Sequence, residues 1–318
     1  MLRPYHLFTI SGLLLLSVAS SRLWAQLPDF PAQKIAAHTW VIHGPLGLPS
    51  KANQGFMNNP GFIITQTGVV VIDPGSTVES GRMVLHQIRK QTRLPVTHVL
   101  GSHIHGDHWL GNQAFAEAFP DAKFMAHPLM IKKAREGAAE QWVATMERMT
   151  GGLSKGTRAV IPGKALDEGA SFETGGIHFR IHAPPGAHSG NDIMIEVVED
   201  GVIFLGDNAL VNRIGRMDDG SFRGNIRALD AALATKAKHF VPGHGPSGDR
   251  QVAIAYKNYL STLYQRVAVL YEEGLADFEM KKDIVARLEQ YQDWVGFKEE
   301  VGRHISLAML EVEKAEFE

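Results

Sequence analysis

His103, His105, Asp107 and His108 fall within one six-residue stretch, His103-Ile104-His105-Gly106-Asp107-His108, of a 318-residue chain that has 15 histidines and no cysteine. Three imidazoles and a carboxylate are donors that zinc takes at about 2.0–2.2 Å. One turn cannot aim all of them at a single ion, so other donors must arrive from elsewhere in the chain. Three candidates occur: His188 in Pro184-Pro185-Gly186-Ala187-His188-Ser189, Asp207 in Phe204-Leu205-Gly206-Asp207, and His244 in Val241-Pro242-Gly243-His244-Gly245. Each follows an apolar run and lies in or beside a glycine-containing turn, where the backbone approaches closely and aims a side chain from a strand end. The chemistry this predicts is metal binding by imidazole and carboxylate. Asp107 is the catalytic candidate within the donor set. Asp73, ahead of Pro74-Gly75, reads either as a turn former or as a hydrogen-bond partner that orients a ligand.

The lack of cysteine removes disulfides, thiolate zinc sites, iron–sulfur clusters and thiol nucleophiles. With 44% hydrophobic and 21% charged residues the chain has globular composition. A net charge of -2 and no run of Lys or Arg exclude the electrostatic footprint of a nucleic-acid binder, so the expected partner is a small-molecule substrate. Residues 1–25 read as a secretory signal, with Arg3, an apolar stretch through Ile10 to Val18, and a cut between Ala25 and Gln26. Ser11, Gly12 and Ser17 interrupt that stretch too often for a comfortable transmembrane helix, which leaves a retained anchor as the alternative. The expected location is periplasmic or secreted, with no stable membrane span after cleavage. Oligomeric state is not legible.

Stepping along the chain, β-rich runs at 40–43, 62–65, 69–72, 94–100 and 123–126 alternate with helical spacing. One predicted helix is capped by Ser76, and others cover 108–119 and 129–149. A second β-rich half follows at 172–173, 177–182, 193–198, 202–205 and 239–242, with a helix at 225–235. Two such halves predict two packed sheets with helices outside, an α/β architecture. From residue 249 onward the sequence is helical, with Tyr256, Tyr259, Leu260, Leu263, Val267 and Leu270 forming one apolar stripe. The expected division is a signal at 1–25, a catalytic domain at 26–248 and a helical extension at 249–318. The remaining histidines read as packing or surface residues, with His182 and His127 in reserve as ligands. Asn208, Asn212 and Arg213 are candidates for the mouth of the site.

Taken together, these motifs resemble the metallo-β-lactamase superfamily over about residues 35–250. The resemblance implies a four-layer αββα sandwich with the site at one edge of both sheets, followed here by the C-terminal helical extension. It also implies that His103, His105 and His188 bind one metal, that Asp107, His108 and His244 bind a second, and that Asp207 bridges them. The implied cofactor is two zinc ions per chain, although imidazole and carboxylate also suit iron and manganese. An aspartate at position 207 resembles the glyoxalase II branch, whereas one β-lactamase subclass places a cysteine near that position. The leader, the core and the tail around 290–304 also resemble, more loosely, periplasmic zinc metallohydrolases associated with quinoprotein and sulfur oxidation. The functional expectation is an exported dinuclear zinc hydrolase using a metal-bound hydroxide on a thioester, ester or lactone-like carbonyl. The alternatives are a β-lactamase, an iron-dependent sulfur dioxygenase and a non-catalytic metal- or cofactor-binding accessory protein.

Overall fold

In the computed structural model, which describes residues 27–317, two sheets pack face to face. The expected signal segment lies outside the described residues. The first sheet runs in chain order through β1 (Ala32–Lys34), β2 (Thr39–Ile42), β3 (Gly61–Ile64) and β4 (Val69–Ile72). Helix α1 (Val78–Gln91) leads to β5 (Val96–Leu100), and α2 (Asn112–Ala118) leads to β6 (Lys123–Ala126). Helices α3 (Pro128–Lys133) and α4 (Ala139–Met149) then precede the edge strand β7 (Lys164–Ala165). The second sheet consists of β8 (Ser171–Thr174), β9 (Ile177–His182), β10 (Met194–Val197), β11 (Val202–Leu210) and, after α5 (Phe222–Ala234), β12 (His239–His244). The chain ends in α6 (Gln251–Glu272), α7 (Asp277–Arg287) and α8 (Phe297–Ala315).

The reason for this layering is written in β4. All four of its residues are buried, and a strand covered on both faces reads as a continuous apolar run. Val70 and Ile72 meet Phe179, Ile195 and Phe204 of the second sheet, while Val69 and Val71 meet Val84, Ile88 and Phe115 of the outer helices. Each such side chain contributes roughly 1.5–3 kcal/mol on full burial. On the other side, the α6 stripe of Tyr256, Tyr259, Leu260 and Leu263 packs with Leu205 and Phe240 of the second sheet. The C-terminal helices are therefore part of the outer layer rather than a tethered appendage. Among the described residues no helix is long and apolar enough to cross a membrane.

Strand direction explains how distant donors meet. β4, β5 and β6 are parallel, so the loops after β4 and β5, which hold Asp73 and the 103–108 turn, emerge at one edge. In the second sheet β11 and β12 are parallel, and β9 runs the same way because both it and β11 are antiparallel to β10. The loop after β9, β11 itself and the last residue of β12 deliver His188, Asp207 and His244 toward the carboxyl side of these strands, a placement typical of sites in sheets with parallel strands.

Four local expectations are corrected. Thr77, not Ser76, caps α1: its hydroxyl accepts from Ser80 N at 3.1 Å, whereas Ser76 Oγ donates to Gly55 O at 2.6 Å. The 108–119 segment starts as a single tight turn, Gly106–His108, and becomes α-helical only at Asn112. The 129–149 helix is broken at Gly137, whose φ of 111° no helix accommodates. Finally, β11 does not stop at 205. It continues through Asp207 to Leu210, with its pairing to β12 shifted at Gly206, where φ is +53°. Asp207 thus projects from a bulged strand and not from a turn, and a bulge re-aims a side chain in this way.

Candidate metal centre

All seven candidate donors come together at this shared edge in two groups: His103, His105, His188 and Asp207 in one, and Asp107, His108 and His244 in the other. Within each group the ligand atoms lie within 4.8 Å of one another. Glycine makes the approach possible, since a Cβ on Gly243 would stand 1.9 Å from Asp207 Oδ1.

In the second group the rings are fixed from behind. His244 Nδ1–H donates to Met57 O at 2.8 Å, and because a carbonyl can only accept, the neutral ring keeps a lone pair on Nε2. His108 Nδ1 meets Asp73 Oδ2 at 2.9 Å, while the other oxygen of Asp73 accepts from Ser102 N at 2.7 Å. These two bonds hold Asp73 at φ +51°, a conformation an L-residue rarely adopts, so Asp73 is both a turn residue and the orienting partner of a ligand. On the front side, His108 Nε2 stands 3.1 Å from Asp207 Oδ1 and 3.4 Å from Asp107 Oδ2. His244 Nε2 stands 3.2 Å from Asp107 Oδ2 and 3.3 Å from Asp207 Oδ1.

The first group is arranged around Asp207 Oδ2, which lies 3.7 Å from His188 Nε2. His105 Nδ1 is 3.2 Å from the same His188 nitrogen. Ser102 Oγ contacts His103 Nδ1 at 3.0 Å, which leaves His103 Nε2 for the pocket. Asp207 therefore offers one carboxylate oxygen to each group.

Among the described residues, the buried Nε2 atoms of His103, His108 and His244, together with Asp207 Oδ1, have no hydrogen-bond partner. Lone pairs of rings and carboxylates aimed at each other without hydrogens between them are costly unless positive charge lies among them. The donor set, its spacing and these orphaned atoms fit divalent cations held by imidazole and carboxylate.

Protonation follows the same logic. Burial by itself would raise Asp107 and Asp207, yet the neighbouring imidazoles overcome it and hold both carboxyls well below the usual range. Burial would likewise lower His108, but Asp207, Asp107 and Asp73 outweigh it and push its pKa well up. His244 is also raised, mainly by Asp207 against its burial. In the first group burial dominates, taking His188 down to about 3 and His103 well below its ordinary value. The carboxylates thus remain ionised, the form in which a carboxylate binds a cation.

Several residues that position the site were missed in the sequence. Ser102 orients His103 and donates its amide to Asp73. Asn191 Oδ1 accepts from Ile104 N at 2.9 Å inside the histidine-rich turn. Asp219 Oδ2 accepts from His105 Nε2 at 3.4 Å. None of these has a local sequence signature: Asn191 and Asp219 act on residues far away in the chain, and a serine beside His103 is an ordinary neighbour until the fold turns its hydroxyl to the ring. Asn208 and Arg213, expected near the mouth, are instead buried structural ties: Asn208 Oδ1 accepts from His188 N at 3.1 Å, and Arg213 donates to the carbonyls of Leu46 and Gly47. The reserve histidines stand elsewhere, with His127 capping α3 and His182 paired with Glu196.

Comparison with known proteins adds family to geometry. A sequence model of the metallo-beta-lactamase superfamily matches residues 54–244, which contain all seven donors. No curated protein sequence matches the chain. Among solved structures, a metallo-beta-lactamase from Pontibacter korlensis superposes with a TM-score of 0.58 at 19% identity, over 73% of this chain and 99% of that one. A metallo-beta-lactamase from Hirschia baltica gives 0.56 at 18% identity, over 74% and 98%. The stereoselective inverting sec-alkylsulfatase Pisa1 from Pseudomonas sp. gives 0.68 at 14% identity, over 89% of this chain and 50% of that one. At these identities the likeness is one of fold.

Proposed function

This chain belongs to the metallo-β-lactamase superfamily of metal-dependent hydrolases, and from that premise we propose that it is an exported dinuclear zinc hydrolase acting on a thioester, ester or lactone-like carbonyl. The observation that supports two ions is the split of Asp207, whose Oδ1 faces His108 and His244 while Oδ2 faces His188. His103, His105 and His188 would hold the first ion, and Asp107, His108 and His244 the second. When bound, the pair supplies Lewis acidity and lowers the pKa of a shared water toward 7.

The chain's own residues do the rest. Asp73 and the Met57 carbonyl keep His108 and His244 facing forward, so little reorganisation is needed as charge develops at the site. Asp107 stays ionised and is the catalytic candidate, a carboxylate whose Oδ2 faces His108 and His244 at the pocket and can orient the attacking water by accepting its hydrogen bond. No protein nucleophile is required. Export rests on the leader-like residues 1–25 and implies a periplasmic or secreted enzyme with a small-molecule substrate.

The test combines metal content of protein purified from the periplasm with turnover on a thioester, ester and lactone panel. Two zinc ions per chain and turnover on that panel are expected, and His188→Ala and Asp207→Ala should each lose metal and activity. Full occupancy and activity in either variant would sink the ligand assignment. A chromogenic cephalosporin hydrolysed far faster than the panel would make the chain a β-lactamase. One iron per chain with oxygen uptake on a persulfide would make it a dioxygenase, and saturable binding without turnover would make it an accessory protein.

A further inference from the structure

The imidazoles of the first pocket differ in what stands behind them. His103 has a hydroxyl, that of Ser102. The Nδ1 of His188 is buried with no hydrogen-bond partner among the described residues. His105 has a carboxylate at its far nitrogen, that of Asp219, 3.4 Å away. A carboxylate there fixes the Nε2–H tautomer and leaves the Nδ1 lone pair facing the pocket.

Asp219 itself is poorly confined as a side chain, being 57% exposed. What holds it is its segment, which the C-terminal region holds at four places, one through Val295 in the connection before α8 and three through α8 itself. Asn212 O accepts from Val295 N at 3.0 Å, and Ile214 N donates to Val295 O at 2.8 Å. His304 Nε2–H donates to Gly215 O at 2.9 Å, while its Nδ1 accepts from Tyr259 OH at 2.8 Å. Arg303 pairs with Asp218, the immediate neighbour of Asp219. Glu311 accepts from Ser221 Oγ at 2.8 Å and from Phe222 N at 2.7 Å. On its other side the same segment is tied to the His188 loop, with Ser221 N donating to Ala187 O at 2.9 Å.

We propose that Asp219 is a positioning residue for the first metal pocket, acting through His105, and that the C-terminal helices serve the site by clamping the 212–221 segment that carries it. The proposal rests on the two-pocket reading of the site, and it makes the helical extension part of the metal centre's support rather than a separate module.

The test uses the full chain in two readouts. In metal-free protein, long-range 15N–1H spectra of the imidazoles should find His105 in the Nε2–H tautomer, and Asp219→Ala should shift that equilibrium toward Nδ1–H. In zinc titrations against a chromophoric chelator, Asp219→Ala should weaken one of the two binding steps by about 10–100-fold and spare the other. Asp219→Glu should recover much of the loss, and Arg303→Gln should weaken the same step to a smaller degree. The unfolding temperature of the metal-free protein should stay unchanged in Asp219→Ala, which separates positioning from a general loss of structure. An unchanged tautomer, two steps weakened equally, or a step lost only in proportion to stability overturns the proposal. If wild-type protein takes up no zinc, the functional reading fails, and the tautomer measurement still decides whether Asp219 orients His105.

Discussion

The two pockets share Asp207 but are built from different material. The second is backed by the buried interior: Asp73 lies at the end of β4, Met57 offers a main-chain carbonyl, and His244 is the last residue of β12. The first is backed by loops, with one hydroxyl, one unpaired nitrogen and one half-exposed carboxylate carried on a segment that the C-terminal helices hold. The difference separates two ways of making a rigid site. One takes its order from sheet ends that the hydrophobic core already immobilises. The other imports order from a distant layer through main-chain bonds, which makes it the more adjustable half.

The sharpest way to break this contrast is at Asp73. Asp73→Ala leaves His108 Nδ1 and Ser102 N without their partner in a buried setting, and each orphaned group costs about 1–3 kcal/mol. Chemical denaturation should show a loss of about 2–4 kcal/mol, and the second pocket should lose affinity for zinc by about 10–100-fold. A loss confined to the first pocket would reverse the assignment of supports.

The next effect concerns the clamp. Burial takes His304 down to about 4, so the folded chain keeps it neutral while the unfolded chain binds a proton near pH 6.5. The unfolded state then binds more protons between those values, and stability rises with pH across that window. As pH falls from about 6.5 to about 4, this residue alone should remove on the order of 3 kcal/mol. His304→Gln should flatten that part of the stability profile. A profile identical to wild type would show that His304 does not titrate in this way.

The smallest effect is expected at Asn212, which adopts φ +59° at the start of the clamped segment. Asn212→Gly removes that strain at some cost in unfolded-state entropy, so the net change should stay within about 1 kcal/mol. Thermal melts should move by no more than a few degrees and zinc affinity should hold in both pockets. A large loss of the first step alone would mean that the segment depends on the Asn212 side chain as well as on its main chain.

Much of the centre was legible because metal donors are rare residue types in a recognisable local setting. The 103–108 turn needs no tertiary information, since three imidazoles and a carboxylate in six residues have little other use. His188 and His244 were found through glycine next to strand ends. Asp207 was also found, although for a partly mistaken local reason: its strand does not end before it but bulges at Gly206 and runs on to Leu210. Asp219 was not found. An exposed aspartate after Met217-Asp218 carries no pattern, and its partner lies 114 residues away.

What the sequence by itself determined is therefore the donor inventory, the alternation that makes two sheets, and the apolar stripes that put helices outside them. These are local properties, set by residue type and by periods of two and 3.6 residues. Tertiary structure alone decided which nitrogen of each ring faces the pocket, which oxygen of Asp207 serves which group, and that the C-terminal helices reach the site. Those outcomes depend on the direction of strands far apart in the chain and on hydrogen bonds that form only once the sheets have packed. A linear pattern does not encode the angle at which two distant backbones meet.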